Sequence, residues 1–597
     1  MRYRRSAQSL LWLVLTVSIR ALIAAPNGCA VQAADLPTLA GQGMRIDGNR
    51  LVVQAPRFTA VFENGALTSV IARQGGVEFC RRDPEAFPLE LVYVNGSSMQ
   101  ADRHHKVTNK LLSDRAARII MSGDDSDREM LLDIDPISGD LRIAPSGCGN
   151  RKGLRAIRWN VPFARGAALV LPIYNGTLIE SSRAYPRSGR YVWPMEWQAQ
   201  LAIAQRGNTA LMIHAEDNAA KHKALQVTRK DGLTTLGFES EQLGSLWTNQ
   251  AAGGIEWHLN VYEGDWQAPA DRYRAWMERV YDLPAKRAAR PKWVDEIDFS
   301  VQWVEAVPEV LDQLARLHPP ERTWLHLSGP NPPDDWKVGD RVDESTNWRT
   351  RPYDTFYPDY TPTPQGKAFL AKANAAGFKV APHFNYFAVD MRHPAFAALR
   401  DWQIRDDLSN APLGWYWPHE NYEWTRLAYI HPGLGLWRRT LVDAVVATCR
   451  ALKAPGAHLD QSFVLLNPDN GLVENRNMIE GLLRLEEEIE RIQPGLVLQG
   501  EGLNEITFQW QSFGQAHTFP NASERVASAH PICSFLWAGH SRLVGFWNLD
   551  PADPEADVNI EIYKRMRIIP TLICKDRRML TTENPVVRKT MEWVNGK

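Results

Sequence analysis

The sequence has few cysteines, almost no net charge and no apolar run of membrane-spanning length. The five cysteines beyond residue 33 include no Cys-x-x-Cys pair, which argues against a structural zinc site made of thiolates. Their odd number predicts at least one free thiol, and a disulfide among the others stays possible. The formal charge of −1 gives no electrostatic reason to expect nucleic-acid binding.

The N-terminal segment has the pattern of a secretory signal. Three arginines precede an apolar run over 10–19, which Arg20 interrupts before it could span a membrane, and Val31-Gln32-Ala33 is a plausible cleavage site. We therefore predict a signal peptide over 1–33, with an uncleaved amphipathic start as the alternative, and a periplasmic or secreted protein without membrane insertion. Removing its four arginines would take the formal charge from −1 to about −5.

Helical patterns are scarce in the first part of the chain. A length of 597 residues predicts two to four domains, and 44% hydrophobic and 23% charged residues are typical of a globular protein. From Met44 onward, short runs alternate apolar and polar residues, and Asn64-Gly65 between two such runs is typical of a β-hairpin. Residues 34–267 are therefore predicted to form an antiparallel β-supersandwich.

The pattern changes near Ala268. Residues 268–292 are predicted to be a linker, helical at first and then basic and bounded by prolines. Strand patterns follow at 298–303, 323–328, 379–385, 457–461, 496–501 and 543–547. Helical patterns lie between them at 307–317, 364–376, 437–452 and 478–492. Alternating strands and helices predict a parallel α/β domain over 293–597, and the length fits a (β/α)8 barrel of the TIM type.

Two consecutive strands of this predicted barrel end in a carboxylate. Asp460 closes the run Gly456-Ala-His-Leu-Asp, and Glu501 closes Leu496-Val-Leu-Gln-Gly-Glu. The carboxyl ends of barrel strands meet at one rim, so we expect the two side chains to lie close together. Two carboxyl groups at one site are what the cleavage of a glycosidic bond requires.

The two carboxyl groups suit different roles. Asp460 is the predicted nucleophile, because it is short, held on a strand and flanked by donors of His458 and Gln461 that would keep it ionised. Glu501 is the predicted acid, because it reaches further and glycines on both sides leave space around it. Glu505, about one turn later, is the rival acid.

Further polar and aromatic residues are predicted to bind the substrate at the same rim. Side chains two apart on a strand share a face, so His383 points with Asn385, and His458 with Asp460. The long loops 329–363 and 401–435 are rich in rings, and the chain has 22 tryptophans, which stack well on sugars. The predicted substrate-binding residues are His326, His383, Asn385, Trp417, Trp424, Arg426 and His458. Asp334, Asp335 and Trp336 are weaker candidates.

The chain resembles secreted retaining glycoside hydrolases that place a mutarotase-like β-supersandwich before a (β/α)8 barrel. The run from Arg57 to Val70 is similar to the opening strands of such supersandwiches. Asp460 and Glu501 are similar in placement to the nucleophile and acid/base of α-amylase-like and endo-α-N-acetylgalactosaminidase-like barrels. The resemblance implies cleavage of an α-linked sugar with retention. Where amylase-type enzymes carry an Arg, this chain has His458, which argues against starch-like substrates. Their third carboxylate has only Asp550 as a candidate.

The leading prediction is thus a glycoside hydrolase with a carbohydrate substrate and no cofactor. Two alternatives stay open. His326, His383, His458 and Asp460 could hold a metal in a metal-dependent barrel hydrolase, although the first strand carries Gln302 in place of a His-x-His pair. The protein could also bind glycans without cleaving them. The sequence gives no prediction of oligomeric state.

Overall fold

A computed structural model describes most of the chain. The described residues are 42–81, 88–100, 105–180, 188–329, 345–417, 425–516, 525–546, 555–574 and 576–596. From Gly43 onward the chain forms one compact unit. The predicted signal peptide over 1–33 lies outside the described residues, as do Trp424, Asp550 and residues 334–336.

The first part of the chain is built of antiparallel strands, as predicted. Alternating burial along Phe58–Glu63 shows one face on the core and one toward solvent, and Asn64 and Gly65 form the hairpin turn with positive φ angles of 50° and 83°. The strands are β1 Gly43–Asp47, β2 Arg50–Gln54, β3 Phe58–Glu63, β4 Ala66–Ala72, β5 Leu89–Tyr93, β6 Ser98–Gln100, β7 Lys106–Leu111, β8 Ala116–Ser122, β9 Ser126–Ile134, β10 Leu141–Gly149, β11 Leu154–Pro162, β12 Ala168–Leu171, β13 Thr177–Ile179, β14 Gly189–Trp193, β15 Leu201–Arg206, β16 Thr209–Ala215, β17 Lys223–Lys230, β18 Leu233–Glu241, β19 Ala251–Gly253 and β20 Trp257–Glu263.

These strands form three sheets. One has the order β1-β2-β3-β4, and another the order β14-β17-β18-β11-β5-β6. The largest has the order β13-β12-β15-β16-β20-β10-β9-β8-β7, with β19 added beside β10. Buried side chains of all three belong to a single hydrophobic core, which includes Trp159, Trp197 and Trp257.

The segment predicted as a linker contains two helices. Helix α1 is Gln267–Val280 and helix α2 is Leu283–Ala289, followed by a 3₁₀ turn at Lys292–Glu296. The basic part was predicted as a linker bounded by prolines, without a helix assigned to it. It is helical because its proline stands at the start of α2, where the missing N–H is not needed.

The second part of the chain is a nearly closed parallel barrel. Its strands, numbered here as barrel strands 1 to 8, are β21 Phe299–Val304, β22 Thr323–Leu327, β23 Lys379–Asn385, β27 Gly456–Asp460, β28 Val497–Gly500, β29 Gln511–Gln515, β30 Arg542–Val544 and β31 Thr571–Ile573. Barrel strands 1 to 7 pair in order, each parallel to the next, and barrel strand 8 pairs with barrel strand 1. A parallel bridge between Val544 and Ile569 connects the remaining edges.

Helices lie between the barrel strands, and a small sheet extends from one loop. The helices are α3 Pro308–Leu317, α4 Pro364–Ala376, α5 Phe396–Leu399, α6 Gly435–Leu452, α7 Met478–Ile492, α8 Ile532–Trp537, α9 Ala556–Met566 and α10 Pro585–Val594, with 3₁₀ turns at Pro320–Arg322, Arg400–Trp402, Thr507–Gln509 and Arg577–Met579. After barrel strand 3, β24 Ala388–Asp390, β26 Thr425–Tyr429 and β25 Gly414–Trp417 pair in that order. Among the described residues no helix is long and apolar enough to cross a membrane, and all five cysteines are free thiols.

Candidate active site

The two predicted catalytic carboxyl groups meet at the mouth of the barrel. Asp460 is the last residue of barrel strand 4, and Glu501 follows the last residue of barrel strand 5. The strands pair with Leu459 opposite Gly500, and the N–H of Glu501 donates to the carbonyl oxygen of Leu459 at 3.2 Å. Asp460 is buried, Glu501 is half-buried, and their side chains hydrogen-bond to each other.

Burial and neighbouring charge make both carboxyl groups hold protons more tightly than usual. Burial raises the pKa of Asp460 well above its ordinary value, and the charges of Glu501 and Asp354 raise it further. Burial also raises the pKa of Glu501, to about 7, although the N–H of Gln461 works in the opposite direction. Both carboxyl groups therefore bind protons more tightly than free ones do, whereas the sequence predicted that flanking donors would keep Asp460 ionised.

The donors around the pair differ from those predicted. His458 lies one layer deeper in the barrel than Asp460, and its Nδ1 accepts from Gln499 Nε2 at 3.1 Å. Gln461 supports Glu501 instead, since its N–H donates to Glu501 Oε2 at 2.9 Å. Gln461 has a φ of 58°, a left-handed conformation at the residue that follows barrel strand 4.

Asn385 is the residue that positions Asp460. Its Nδ2 donates to Asp460 Oδ2 at 3.0 Å and to Gln461 Oε1 at 3.2 Å. Its Oδ1 accepts the N–H groups of Phe387 and Ala388, which fixes the orientation of the amide. The predicted convergence of barrel strands 3 and 4 on Asp460 is therefore present in the structure.

Three histidines form a buried layer beneath the carboxyl groups. One nitrogen from each of His326, His383 and His458 lies within 4.8 Å of the others, and His326 Nε2 is 3.1 Å from His383 Nδ1. Burial lowers the pKa of His326 to about 3 and holds that of His383 well below its ordinary value. His383 Nε2 lies 3.9 Å from Asp460 Oδ2, close enough to donate after a small movement.

Asp354 is a third carboxylate of the site, which was not predicted from the sequence; only the many aromatic residues of its loop pointed to that region. It lies in the loop after barrel strand 2 with a φ of 53°, and it accepts from Tyr357 OH at 2.9 Å. One oxygen of Asp354, one nitrogen of His383 and one oxygen of Asp460 lie within 4.8 Å of one another. The Tyr353 ring packs on His383 at 4.8 Å between ring centroids.

The remaining predicted residues have different outcomes. Trp417 ends β25, and nothing is described of its side chain. Arg426 lies on β26 with an exposed side chain, and its role stays a prediction. Trp424 and Asp550 lie outside the described residues.

Glu505, the rival acid, is bound by the β-sheet region. Its Oε2 accepts from Gln200 N and Tyr273 OH, both at 2.8 Å, and its Oε1 accepts from Gln200 Nε2 at 2.6 Å. Burial raises its pKa to about 7. All of these partners donate, so Glu505 is an acceptor that joins Gln200 and helix α1 to the barrel.

Replacing Glu505 with Gln should therefore affect stability and not chemistry. The new NH₂ group would face donors, and we expect the free energy of unfolding to fall by about 1–3 kcal/mol. Denaturant titration measures this loss. Any glycosidase activity of the folded variant should stay within a few-fold of wild type, and a large loss of kcat with unchanged stability would make Glu505 the acid after all.

The comparisons with known proteins agree with this architecture. A family described as "Domain of unknown function (DUF6259)" matches residues 255–469, which include Asp460 and exclude Glu501. No curated protein matches the chain. Among solved structures, the α-N-acetylgalactosaminidase NagBb from Bifidobacterium bifidum, ligand-free, is similar with a TM-score of 0.63 and 14% identity, covering 87% of this chain and 93% of that chain.

Two further structures of NagBb give the same result. The quadruple mutant has a TM-score of 0.64 at 13% identity, covering 91% of this chain and 93% of that one. The Gal-NHAc-DNJ complex has a TM-score of 0.62 at 14% identity, covering 83% of each chain. At this identity the likeness shows the fold, and it confirms the predicted combination of β-sandwich and TIM-like barrel at that level.

Proposed function

We propose that this protein is a retaining glycoside hydrolase that cleaves an α-linked sugar, with Asp460 as nucleophile and Glu501 as acid/base. The observation that carries the proposal is the hydrogen-bonded carboxyl pair at the ends of adjacent barrel strands. A carboxyl group whose pKa is about 7 can give a proton to a leaving oxygen and then take one from water.

The reaction follows from the contacts of the pair. In the reactive state Glu501 carries the proton and Asp460 the negative charge, which the positive charge developing on the anomeric carbon stabilises. Glu501 passes this proton to the glycosidic oxygen while the C1–O bond breaks and an Asp460–C1 bond forms. Water then attacks C1, Glu501 takes a proton from it, and Asp460 leaves as a carboxylate that accepts from Asn385 Nδ2.

Binding of the sugar requires the carboxyl groups of Asp460 and Glu501 to move apart. Retaining enzymes hold them about 5–5.5 Å apart, farther than a direct hydrogen bond allows. Moving Asp460 toward His383 Nε2, now 3.9 Å away, would replace the lost hydrogen bond. We place Asp354 among the residues that would contact the sugar, because one of its oxygens lies within 4.8 Å of an oxygen of Asp460.

The first substrates to test are α-N-acetylgalactosaminides. NagBb, whose fold this chain resembles, is an α-N-acetylgalactosaminidase, and one of its structures is a GalNAc complex. The choice rests on fold alone and on the α-specificity that the sequence resemblance implies. A periplasmic or secreted location, which we infer from residues 1–33, would suit glycans outside the cytoplasm.

A panel of aryl glycosides tests the proposal. Matched α- and β-anomers of N-acetylgalactosamine, galactose and glucose are incubated with the purified protein, and aryl release is measured. We expect release from an α-anomer, with the N-acetylgalactosaminide first. Release from a β-anomer alone would contradict the proposal. Glycan binding without any turnover would favour the non-catalytic alternative.

A metal-dependent hydrolase is the second candidate, and the three-histidine layer is the observation in its favour. Two contacts speak against it. His458 Nδ1 already accepts from Gln499, and the rings of His326 and His458 overlap at 3.9 Å between centroids with a tilt of 35°. Overlapped rings direct their nitrogen lone pairs side by side and not toward a common point.

Replacing Asp354 with Asn should weaken catalysis and change its pH dependence. Loss of a charged hydrogen-bond acceptor is expected to lower kcat/KM by about 10- to 100-fold. The Asp354 charge raises the pKa of Glu501, so the alkaline limb of the pH–rate profile should move to lower pH in the variant. Asp359→Asn is the matched control, because Asp359 lies on the same loop and pairs with Arg351. An alkaline limb that moves equally in both variants would contradict the assignment.

A further inference from the structure

A second group of metal-binding side chains lies in the β-sheet region. Asp140 precedes β10, His214 lies on β16 and His258 on β20, and these three strands are neighbours in the largest sheet. His214 pairs directly with His258 across the strands, so the two rings share one face of the sheet. One donor atom from each of the three residues lies within 4.8 Å of the others.

His214 is the residue that points to a ligand. Its side chain is fully buried, and neither ring nitrogen has a hydrogen-bond partner among the residues that the structure describes. Glu216 Oε1 lies 3.5 Å from His214 Nε2, longer than a good hydrogen bond. The nitrogens of a buried imidazole normally have hydrogen-bond partners, because an unpaired buried polar atom destabilises the fold.

The spacing of Asp140 and His258 fits two ligands of one ion. Asp140 Oδ2 and His258 Nδ1 are 3.3 Å apart. Zinc–ligand bonds of 2.0–2.2 Å in a tetrahedron place neighbouring ligand atoms about 3.4 Å apart. The same residues also have orienting partners: Asn260 Nδ2 donates to Asp140 Oδ1 at 2.5 Å, and Glu256 Oε1 lies 3.5 Å from His258 Nε2.

Such outer partners are typical of metal-bound ligands, whose second ring nitrogen donates to a carboxylate. Glu256 would accept from His258 Nε2, which leaves Nδ1 for the ion. Glu216 would accept from His214 Nε2 in the same way, which leaves the second ring nitrogen of His214. Each candidate ligand thus has one atom for the ion and one atom held by a neighbour.

The surrounding charge also favours a dication. Asp140, Glu216 and Glu256 bring three carboxylates to the group. Arg272 pairs with Glu216 at 2.9 Å, and Arg142 faces Glu256 but also pairs with Asp133 and Asp135. Acidic groups therefore exceed basic groups by three. The barrel histidines differ, because the rings of His326 and His458 overlap at 3.9 Å between centroids.

We propose that Asp140, His214 and His258 bind one divalent transition-metal ion, Zn²⁺ by preference, which ties β10, β16 and β20 together. The site would be structural, since His214 packs against Tyr273 of helix α1 at 5.8 Å between ring centroids. This site is independent of the glycosidase proposal, and either can fail without the other.

Zinc binding by the purified full chain tests the site. After removal of loosely bound metal, we expect about one Zn²⁺ per chain by elemental analysis and a higher Tm with Zn²⁺ than with a chelator. Asp140→Asn and His214→Gln should lower the zinc affinity at least about tenfold, and His326→Gln in the barrel should not. Glu256→Gln, at a partly exposed position, should fold in any case and lower the affinity about 10- to 100-fold.

The contradicting results are equally distinct. Failure of the wild-type chain to bind added Zn²⁺ would overturn the site. Zinc that is lost in His326→Gln and kept in Asp140→Asn would place the metal in the barrel. If the zinc affinity is unchanged in both Glu256→Gln and His214→Gln, the proposed site of Asp140, His214 and His258 is also rejected.

Discussion

Replacing Asp460 with Asn is expected to lower kcat for every α-glycoside that the wild type cleaves by about 10⁴-fold or more, since an amide cannot form the glycosyl-enzyme bond. Asn has nearly the shape of Asp, and the buried position of Asp460 beside Asn385 should still pack. We expect KM to change far less than kcat. Steady-state kinetics on the best aryl α-glycoside gives both values.

Azide separates loss of the nucleophile from loss of folding. In Asp460→Asn, azide can enter the space of the carboxylate and attack C1 directly, so the product should be the β-glycosyl azide. Circular dichroism and Tm should match the wild type within a few degrees. A variant that is folded and keeps more than about a tenth of the wild-type kcat would place the nucleophile elsewhere.

Replacing Glu501 with Gln should produce a loss that depends on the leaving group. For a substrate whose leaving group needs protonation, kcat/KM should fall by about 10²- to 10⁴-fold, the usual contribution of a general acid. A dinitrophenyl glycoside, which leaves without a proton, should lose far less in the first step. Azide should accelerate turnover of the glycosyl-enzyme and give the α-glycosyl azide, because the nucleophile is still present.

The pH profile gives a second measure of the same residue. Burial raises the pKa of Glu501 to about 7, so the wild type should lose activity as the pH rises through that value and the acid ionises. Glu501→Gln should lack this alkaline limb. An unchanged limb in the variant, or an equal loss for activated and unactivated leaving groups, would contradict the role of Glu501 as acid/base.

The barrel could be predicted where its strands are apolar and not where they are polar. Barrel strands 1 to 5 were predicted within one residue of their ends, because each is a short, mostly apolar run between helical patterns or loops. Barrel strand 6, Gln511–Gln515, was not predicted, because its buried side chains include polar ones. Gln511 donates to the buried Glu486, and Gln515 donates to the buried Gln302. Barrel strand 8 has only three residues.

The residues of the site also fall into two groups, those that could be predicted from the sequence and those that could not. Asp460, Glu501 and Asn385 follow from strand ends meeting at one rim. The positions of Asp354 and Gln461 depend on left-handed backbone conformations at single residues, which no periodic pattern encodes. His458 shares a face with Asp460 along the strand, yet the neighbouring strands place it one layer deeper, beside Gln499. Sequence spacing gives the face of a strand and not the depth in a barrel.

Trapping the glycosyl-enzyme tests the central claim most directly. A 5-fluoro-α-glycosyl fluoride of the preferred sugar should form the intermediate quickly and release it slowly. Digestion and mass spectrometry should then find one added glycosyl group on the peptide that contains Asp460, and none in Asp460→Asn. A label on another carboxylate, or active enzyme that accumulates no covalent adduct, would contradict the account.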